Sequence, residues 1–310
     1  MSTAHVRAAS SASSTRSVSP AGVVGGRVSG RRLLADRAAT VAVHGAFLLA
    51  LVPLVWILWT VLSKGASLVL QSQWWINSQA GVSPRRAGGG AYHAIMGTVL
   101  TAGVTTLIAV PIAVFTAIYL VEYGRGRFAR VVSFMVDILT GIPSIVAALF
   151  VYAVWVGLLG QQRVGFAVSL SLVLLMIPVV VRSTEEMLKL VPNELREASY
   201  ALGVPKWKTI ARIVLPTAAS GIITGVLLGL ARVMGETAPL IILAPYTAFI
   251  NMNLLGGNIA ALPTLIFTNF GSNIPAQNDR MWAAALTLIL LVLLLNLAGR
   301  FVARFSAVRR

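Results

Sequence analysis

Glu194-Leu195-Arg196-Glu197-Ala198-Ser199-Tyr200-Ala201-Leu202-Gly203, running on through Val204-Pro205-Lys206-Trp207-Lys208 to Leu215-Pro216, is a polar stretch between two apolar runs of membrane length. The charges of Glu194, Arg196, Glu197, Lys206, Lys208 and Arg212 lie too thick for a bilayer core, where ionised side chains are costly. Leu195, Ala198 and Leu202 recur at helical spacing and predict an amphipathic surface helix. Gly203 followed by Pro205 is a helix stop, because glycine tolerates left-handed dihedrals and proline cannot continue the turn. The segment therefore reads as a helix-turn-helix. On the cytoplasmic face of a membrane protein it would dock a soluble partner. A basic amphipathic helix also suits a lipid surface, but Glu185, Glu186, Glu194 and Glu197 beside the lysines favour a protein.

The rest of the chain sets that segment in a membrane. Its 310 residues are 57% hydrophobic and 11% charged, with a mean hydropathy of +0.84, whereas a soluble domain is about 25% charged. The absence of cysteine excludes disulfides, thiolate catalysis and Cys-based metal sites. The net charge of +16 gathers partly in the tails, at Arg7, Arg16, Arg27, Arg31, Arg32 and Arg37 and again at Arg300, Arg304, Arg309 and Arg310. Topology and anionic headgroups account for that distribution without nucleic acid. Residues 1–30, rich in Ser, Ala, Gly and Arg, predict a disordered cytoplasmic tail. The first apolar run begins near Val41, too late and too long for a cleaved signal peptide.

At roughly 20 apolar residues per crossing, six transmembrane helices are expected, at about 40–63, 94–121, 134–159, 164–182, 214–235 and 281–303. A single membrane domain then covers 31–310, with the polar loop at about 183–213. Arg125, Arg127 and Arg130, then Lys189, Arg196, Lys206, Lys208 and Arg212, place the loops after spans two and four, and both termini, in the cytoplasm. Arg85, Arg86 and Arg163 run against that rule. Trp74 and Trp75 fit an interfacial anchor in an outer loop that also holds a flexible Gly88-Gly89-Gly90. Between Gly235 and Asp279, prolines and glycines predict a re-entrant or short-helix excursion.

Three positions carry chemistry. Arg232 and Glu236 lie at i and i+4 and meet on one helix face; the arginine reads either as half of a structural ion pair or as an anion contact. Arg182, at the expected end of span four, reads as an anion contact or as a snorkelling interfacial residue. Gly141-Ile142-Pro143-Ser144 predicts a kink in span three, where Ser144 repairs a freed backbone group or faces a pathway. Asp137 is either buried with a partner or near the cytoplasmic end. The three histidines have no metal-ligand spacing, and no Gly-rich Lys-Ser/Thr loop is present, so neither a metal site nor ATP hydrolysis is expected of this chain.

Glu197-Ala198-Ser199, Gly203 and Ile213-Val214-Leu215-Pro216 resemble the cytoplasmic coupling loop of ABC-importer permeases. Gly141-Ile142-Pro143-Ser144-Ile145-Val146 and Arg232-Val233-Met234-Gly235-Glu236-Thr237-Ala238-Pro239-Leu240 narrow the resemblance to phosphate-importer permeases of the PstA type, as does Val181-Arg182-Ser183-Thr184-Glu185. The resemblance covers about residues 40–305 and implies the all-α, MetI-like type I importer fold with a cytoplasmic coupling helix, in a bacterial plasma membrane. It also implies partners: a second homologous permease, two ATPase subunits that use the ATP, and an external phosphate-binding protein, with membrane lipid around them. Glu197, Ala198, Gly203, Leu215 and Pro216 would serve ATPase coupling. Arg182, Arg232, Glu236 and Ser144 would line the path of inorganic phosphate. Two other readings remain open: a permease for sulfate or molybdate, against which the Gly-Glu-Thr-Ala-Pro string speaks, and a non-transporting scaffold that borrows the same docking loop.

Overall fold

A computed structural model describes residues 30–308. Apart from Gly30, the tail expected over 1–30 lies outside the described residues, as do Arg309 and Arg310. The chain divides into two units between Trp56 and Ile57. In order, the helices are α1 (Gly30–Val69), α2 (Ser72–Ile76), α3 (Tyr92–Ile118), α4 (Gly126–Gly141), α5 (Ser144–Tyr152) and α6 (Gly165–Lys189). There follow α7 (Asn193–Ala201), α8 (Lys206–Thr209), α9 (Leu215–Met234), α10 (Ala238–Leu243), α11 (Leu262–Asn269) and α12 (Pro275–Val308). Single π-helical turns extend α3 to Tyr123 and α5 to Leu158 and join α8 to α9. No strand occurs among the described residues.

Among the described residues, five stretches are long and apolar enough to cross a bilayer: Leu34–Val69, Tyr92–Tyr123, Gly165–Lys189, Lys206–Met234 and Pro275–Phe301. In the place of the single kinked crossing expected at 134–159, α4 and α5 meet at 106°. The helix breaks here because Pro143 has no N–H to donate and its ring drives Ile142 out of the helical region. Ile142 (ψ 126) and Pro143 (ψ 141) are both extended. Other expected boundaries move as well, most of all between the fourth and fifth spans. The fourth span continues past Arg182 to Lys189, and the fifth starts at Lys206 rather than 214.

Helix α6 is the centre of the larger unit, with most of its apolar window buried. Its neighbours admit it by being small. Thr101, Thr105, Ala109, Ala113 and Ala117 recur every fourth residue along the buried face of α3, and such ridges let helix backbones approach closely where lipid provides no hydrophobic drive. Thr105 Oγ1 donates to the Ser169 carbonyl (3.3 Å) and Ser169 Oγ to the Thr101 carbonyl (3.2 Å), stitching α3 to α6. On α9 the ridge is Gly221, Gly225 and Gly229, which face Met187, Ser183 and Val180 with Met176.

The opposite end of the unit holds α2, α10 and α11. Trp74 is a core residue there, 1% exposed, with Nε1 donating to Thr287 Oγ1 at 2.8 Å. Only Trp75 of the expected aromatic pair remains partly exposed. The triple glycine is tied in place as well: Arg280 Nε donates to the Gly88 carbonyl at 2.9 Å, and a Cβ on Gly90 would lie 2.3 Å from the Asn77 carbonyl oxygen. Arg163, out of place on charge grounds, donates to the Ile241 carbonyl at 2.9 Å and anchors α10.

Candidate functional site: the docking segment and the polar membrane residues

Helices α7 and α8 form the helix-turn-helix. Gly203 takes φ +73, a left-handed dihedral that any Cβ would strain, and its N–H donates to the Tyr200 carbonyl at 2.9 Å. Extended Pro205 then starts α8. Buried hydroxyls of Ser199 and Thr209, 2.8 Å apart, tie the two helices together. Leu215 and Pro216 open the regular part of α9; Pro216 has no N–H for the Arg212 carbonyl, and the helix is widened into a π turn just before it.

The apolar residues of the amphipathic surface helix face outward. Leu195 and Ala198 are exposed, Leu202 is 82% exposed and Trp207 61%. Glu197 is exposed beside them. Arg196 holds the segment to the bundle, while Ser199 is buried between α7 and α8. Arg196 Nη2 lies 2.9 Å from Glu122 Oε1, and both side chains are largely buried. Sequence reasoning misses this pair, because Arg196 counts there only as a topology charge and Glu122 lies 74 residues away.

Arg182 lies seven residues before the end of α6 and is fully engaged. It pairs with Asp137 of α4, donates from Nη1 to Glu185 Oε2 at 2.7 Å, and donates from Nη2 to Ser133 Oγ at 3.0 Å. Asp137 therefore has its partner, and Arg182 neither snorkels alone nor presents a free fork. The group borders a polar cleft of about 420 Å³ whose walls include Arg130, Arg182, Glu185 and Lys189.

Arg232 and Glu236 do meet, but loosely. Arg232 Nε is 3.7 Å from Glu236 Oε1, with the arginine side chain 46% exposed. A charge-assisted hydrogen bond would be about 2.7–2.9 Å, so the pair is coulombic and the guanidinium fork is not locked to its partner. The glycine register places Gly229 against Val180 and Met176, which puts Arg232 level with Met176, midway along α6. Arg182 and Arg232 are thus not brought together; their levels differ by about 9 Å, six residues at about 1.5 Å each. Ser144, half-buried, begins α5 just past the break. The neighbouring cavity of about 360 Å³ is apolar, lined by Leu139, Ile142, Val146, Ala147, Phe150, Leu174 and Leu175. Among the described residues no group of three or more His, Asp or Glu could hold a metal ion.

An outward-facing helical hairpin at one end of a bundle of bilayer-length helices matches a known architecture. Residues 109–309 match the family described as "Binding-protein-dependent transport system inner membrane component". The chain belongs to that family. Among curated relatives, the "Phosphate transport system permease protein PstA 1" of Mycobacterium tuberculosis (strain ATCC 25618 / H37Rv) is 54% identical over 280 residues, 90% of this chain and 91% of its own. The PstA protein of Yersinia pestis is 41% identical over 268 residues, 86% and 89%. The permease also shares its fold with solved transporters. A bacterial alginate ABC transporter chain gives a TM-score of 0.61 at 16% identity, covering 88% of this permease and 96% of that chain. A MetNI methionine ABC transporter chain, in an inward-facing conformation, gives 0.54 at 20% identity, covering 70% and 94%. The permease is therefore an integral, multi-pass transport subunit of the MetI-like class rather than an enzyme.

Proposed function

We propose that this chain is one membrane half of an ATP-driven importer of inorganic phosphate. The observation that carries the reading is the docking segment: α7–α8 turns Leu202 and Trp207 outward while its other face is fixed to the bundle. That is the form of an element built to be seized by another protein. Relatives named for phosphate transport at 54% identity supply the cargo. In this reading α7–α8 lies in the cytoplasm with both termini and seats on a separate ATPase through Glu197, Ala198 and Gly203, with Leu215 and Pro216 starting the helix that is moved. Two such ATPase subunits supply the energy of ATP. A second, homologous permease completes the pathway, and a phosphate-binding protein delivers substrate from outside.

Inside the bilayer, Arg232 is the anion contact. It sits midway along the bundle, half exposed, with Glu236 close enough to balance its charge in the absence of substrate but too far to hydrogen-bond it. A phosphate oxyanion offers the acceptor pair a guanidinium fork fits. Arg182, whose fork is occupied by Asp137 and Glu185, acts on phosphate only in a state where those contacts open. Ser144, at the break between α4 and α5, borders the same path. The test is labelled phosphate uptake by vesicles carrying the whole complex, with sulfate and molybdate as competitors. ATP-dependent uptake that excess sulfate and molybdate leave unchanged supports the reading; no ATP-dependent phosphate uptake rejects it, and uptake abolished by either competitor rejects selectivity for phosphate.

A further inference from the structure

The attachment of the docking segment converges on one residue. Glu122 lies in the π turn that extends α3, and its carboxylate is 5% exposed. Oε1 accepts from Arg196 Nε at 3.1 Å and Nη2 at 2.9 Å. The same guanidinium donates from Nη1 to the Val191 carbonyl at 2.6 Å and from Nη2 to the Leu188 carbonyl at 2.9 Å, at the end of α6. From the other arm of the hairpin, Lys206 Nζ donates to the main-chain carbonyl of Glu122 and lies over the Tyr123 ring, 4.7 Å from its centre. Both docking helices thus grip the end of α3, and Arg196 alone joins α3, α6 and α7.

A force applied to α7–α8 leaves it through its attachments. Two are covalent, to α6 through Leu190–Pro192 and to α9 through Ile210. Neither runs directly to α3, which they reach only by way of its packing against α6, stitched at Thr105 and Ser169. A buried ion pair adds little net stability over an apolar pair of equal volume, yet it fixes one geometry. We propose that the Glu122–Arg196 pair, backed by Lys206, is a transmission joint that makes α3 move as one body with the docking segment. The proposal rests on α7–α8 being the ATPase-docking element. Arg196 and Glu122 are positioning residues, remote from the substrate contact at Arg232.

The experiment uses the whole complex in vesicles, with its ATPase, second permease and binding protein, and reads assembly, ATP hydrolysis and phosphate uptake together for Glu122→Ala, Glu122→Gln and Arg196→Lys. Loss of the joint is expected to lower phosphate moved per ATP about tenfold in Glu122→Ala, with hydrolysis retained. Arg196→Lys, which keeps the charge but not the planar fork, should fall between that variant and the parent. An unchanged ratio overturns the proposal, whether both rates stay at the parent's level or fall together. If Glu122→Ala fails to assemble, the Gln and Lys variants decide on the same ratio; failure of all three makes the pair a folding contact and overturns the proposal. A parent complex that hydrolyses ATP and moves no phosphate refutes the importer reading instead, so the two failures are distinguishable.

Discussion

Gly225 is where α6 and α9 come closest in a way that can be worked through. A Cβ added there would lie 1.6 Å from Ser183 Oγ and 2.6 Å from Ser183 Cβ. Rotating the Ser183 hydroxyl relieves the first contact and leaves the second. Carbon atoms pack at about 3.5–4.0 Å, so in Gly225→Ala the two helices must part by about 1 Å at this level. Overpacking of this kind costs about 1–3 kcal/mol, and the better helix propensity of Ala returns only about 0.5–1 kcal/mol. The net is a destabilisation of about 1 kcal/mol and at most about 2.5 kcal/mol, read as a fall of about 2–4 °C in Tm per kcal/mol. Ser183→Gly removes both offending atoms and leaves the Ser183 Cα at 3.8 Å, an ordinary contact. The double variant should therefore recover stability that the sum of the two single effects does not predict. Thermal unfolding of the four proteins in one detergent measures this. A Gly225→Ala protein as stable as the parent, or strict additivity in the double variant, would refute the packing argument.

Other expectations follow from the same geometry. Arg232→Ala and Glu236→Gln should each cut phosphate uptake by about tenfold or more while stability stays within about 0.5 kcal/mol, because the arginine is half exposed and the pair is loose; normal uptake in both variants would remove them from the pathway. Arg182→Ala leaves Glu185, 5% exposed, facing only Lys189 at 3.8 Å among its ion pairs, so a loss of about 1–3 kcal/mol is expected. Adding Glu185→Gln should recover part of it in a thermal melt. Leu202→Asp should abolish co-purification of the ATPase with no change in Tm, since Leu202 is 82% exposed. Gly97→Ala should yield little monodisperse protein on gel filtration, because its Cβ would meet the Ala260 carbonyl oxygen at 1.7 Å and backbone cannot rotate away.

How much of this is legible in the sequence depends on the range of the contact. The hairpin at Gly203 and Pro205 and the Arg232–Glu236 spacing are local, and both read off directly. Gly141-Ile142-Pro143 signals a disturbance but not a 106° break, because the angle is set by what α5 packs against. The outward face of α7 is partly legible: its mixed charge favours a docked partner, but helical periodicity marks an apolar stripe without saying which chain covers it. Trp74 reads as an interfacial anchor but is a core residue, because its indole N–H finds Thr287, far along the chain. The Glu122–Arg196 pair has no local signature. Gly221, Gly225 and Gly229 do have one, a small residue every fourth position, yet the spacing alone does not name α6 as the helix that packs there.

The central claim is that this chain carries phosphate across the membrane under the pull of an ATPase seated on α7–α8. The most direct measurement is phosphate accumulation in vesicles holding the complete complex and loaded binding protein, with ATP or a non-hydrolysable analogue, for the parent and for Leu202→Asp. Accumulation that needs hydrolysable ATP and disappears with Leu202→Asp is the predicted result. An assembled complex that hydrolyses ATP without moving phosphate, or uptake that survives loss of the docking face, would contradict it.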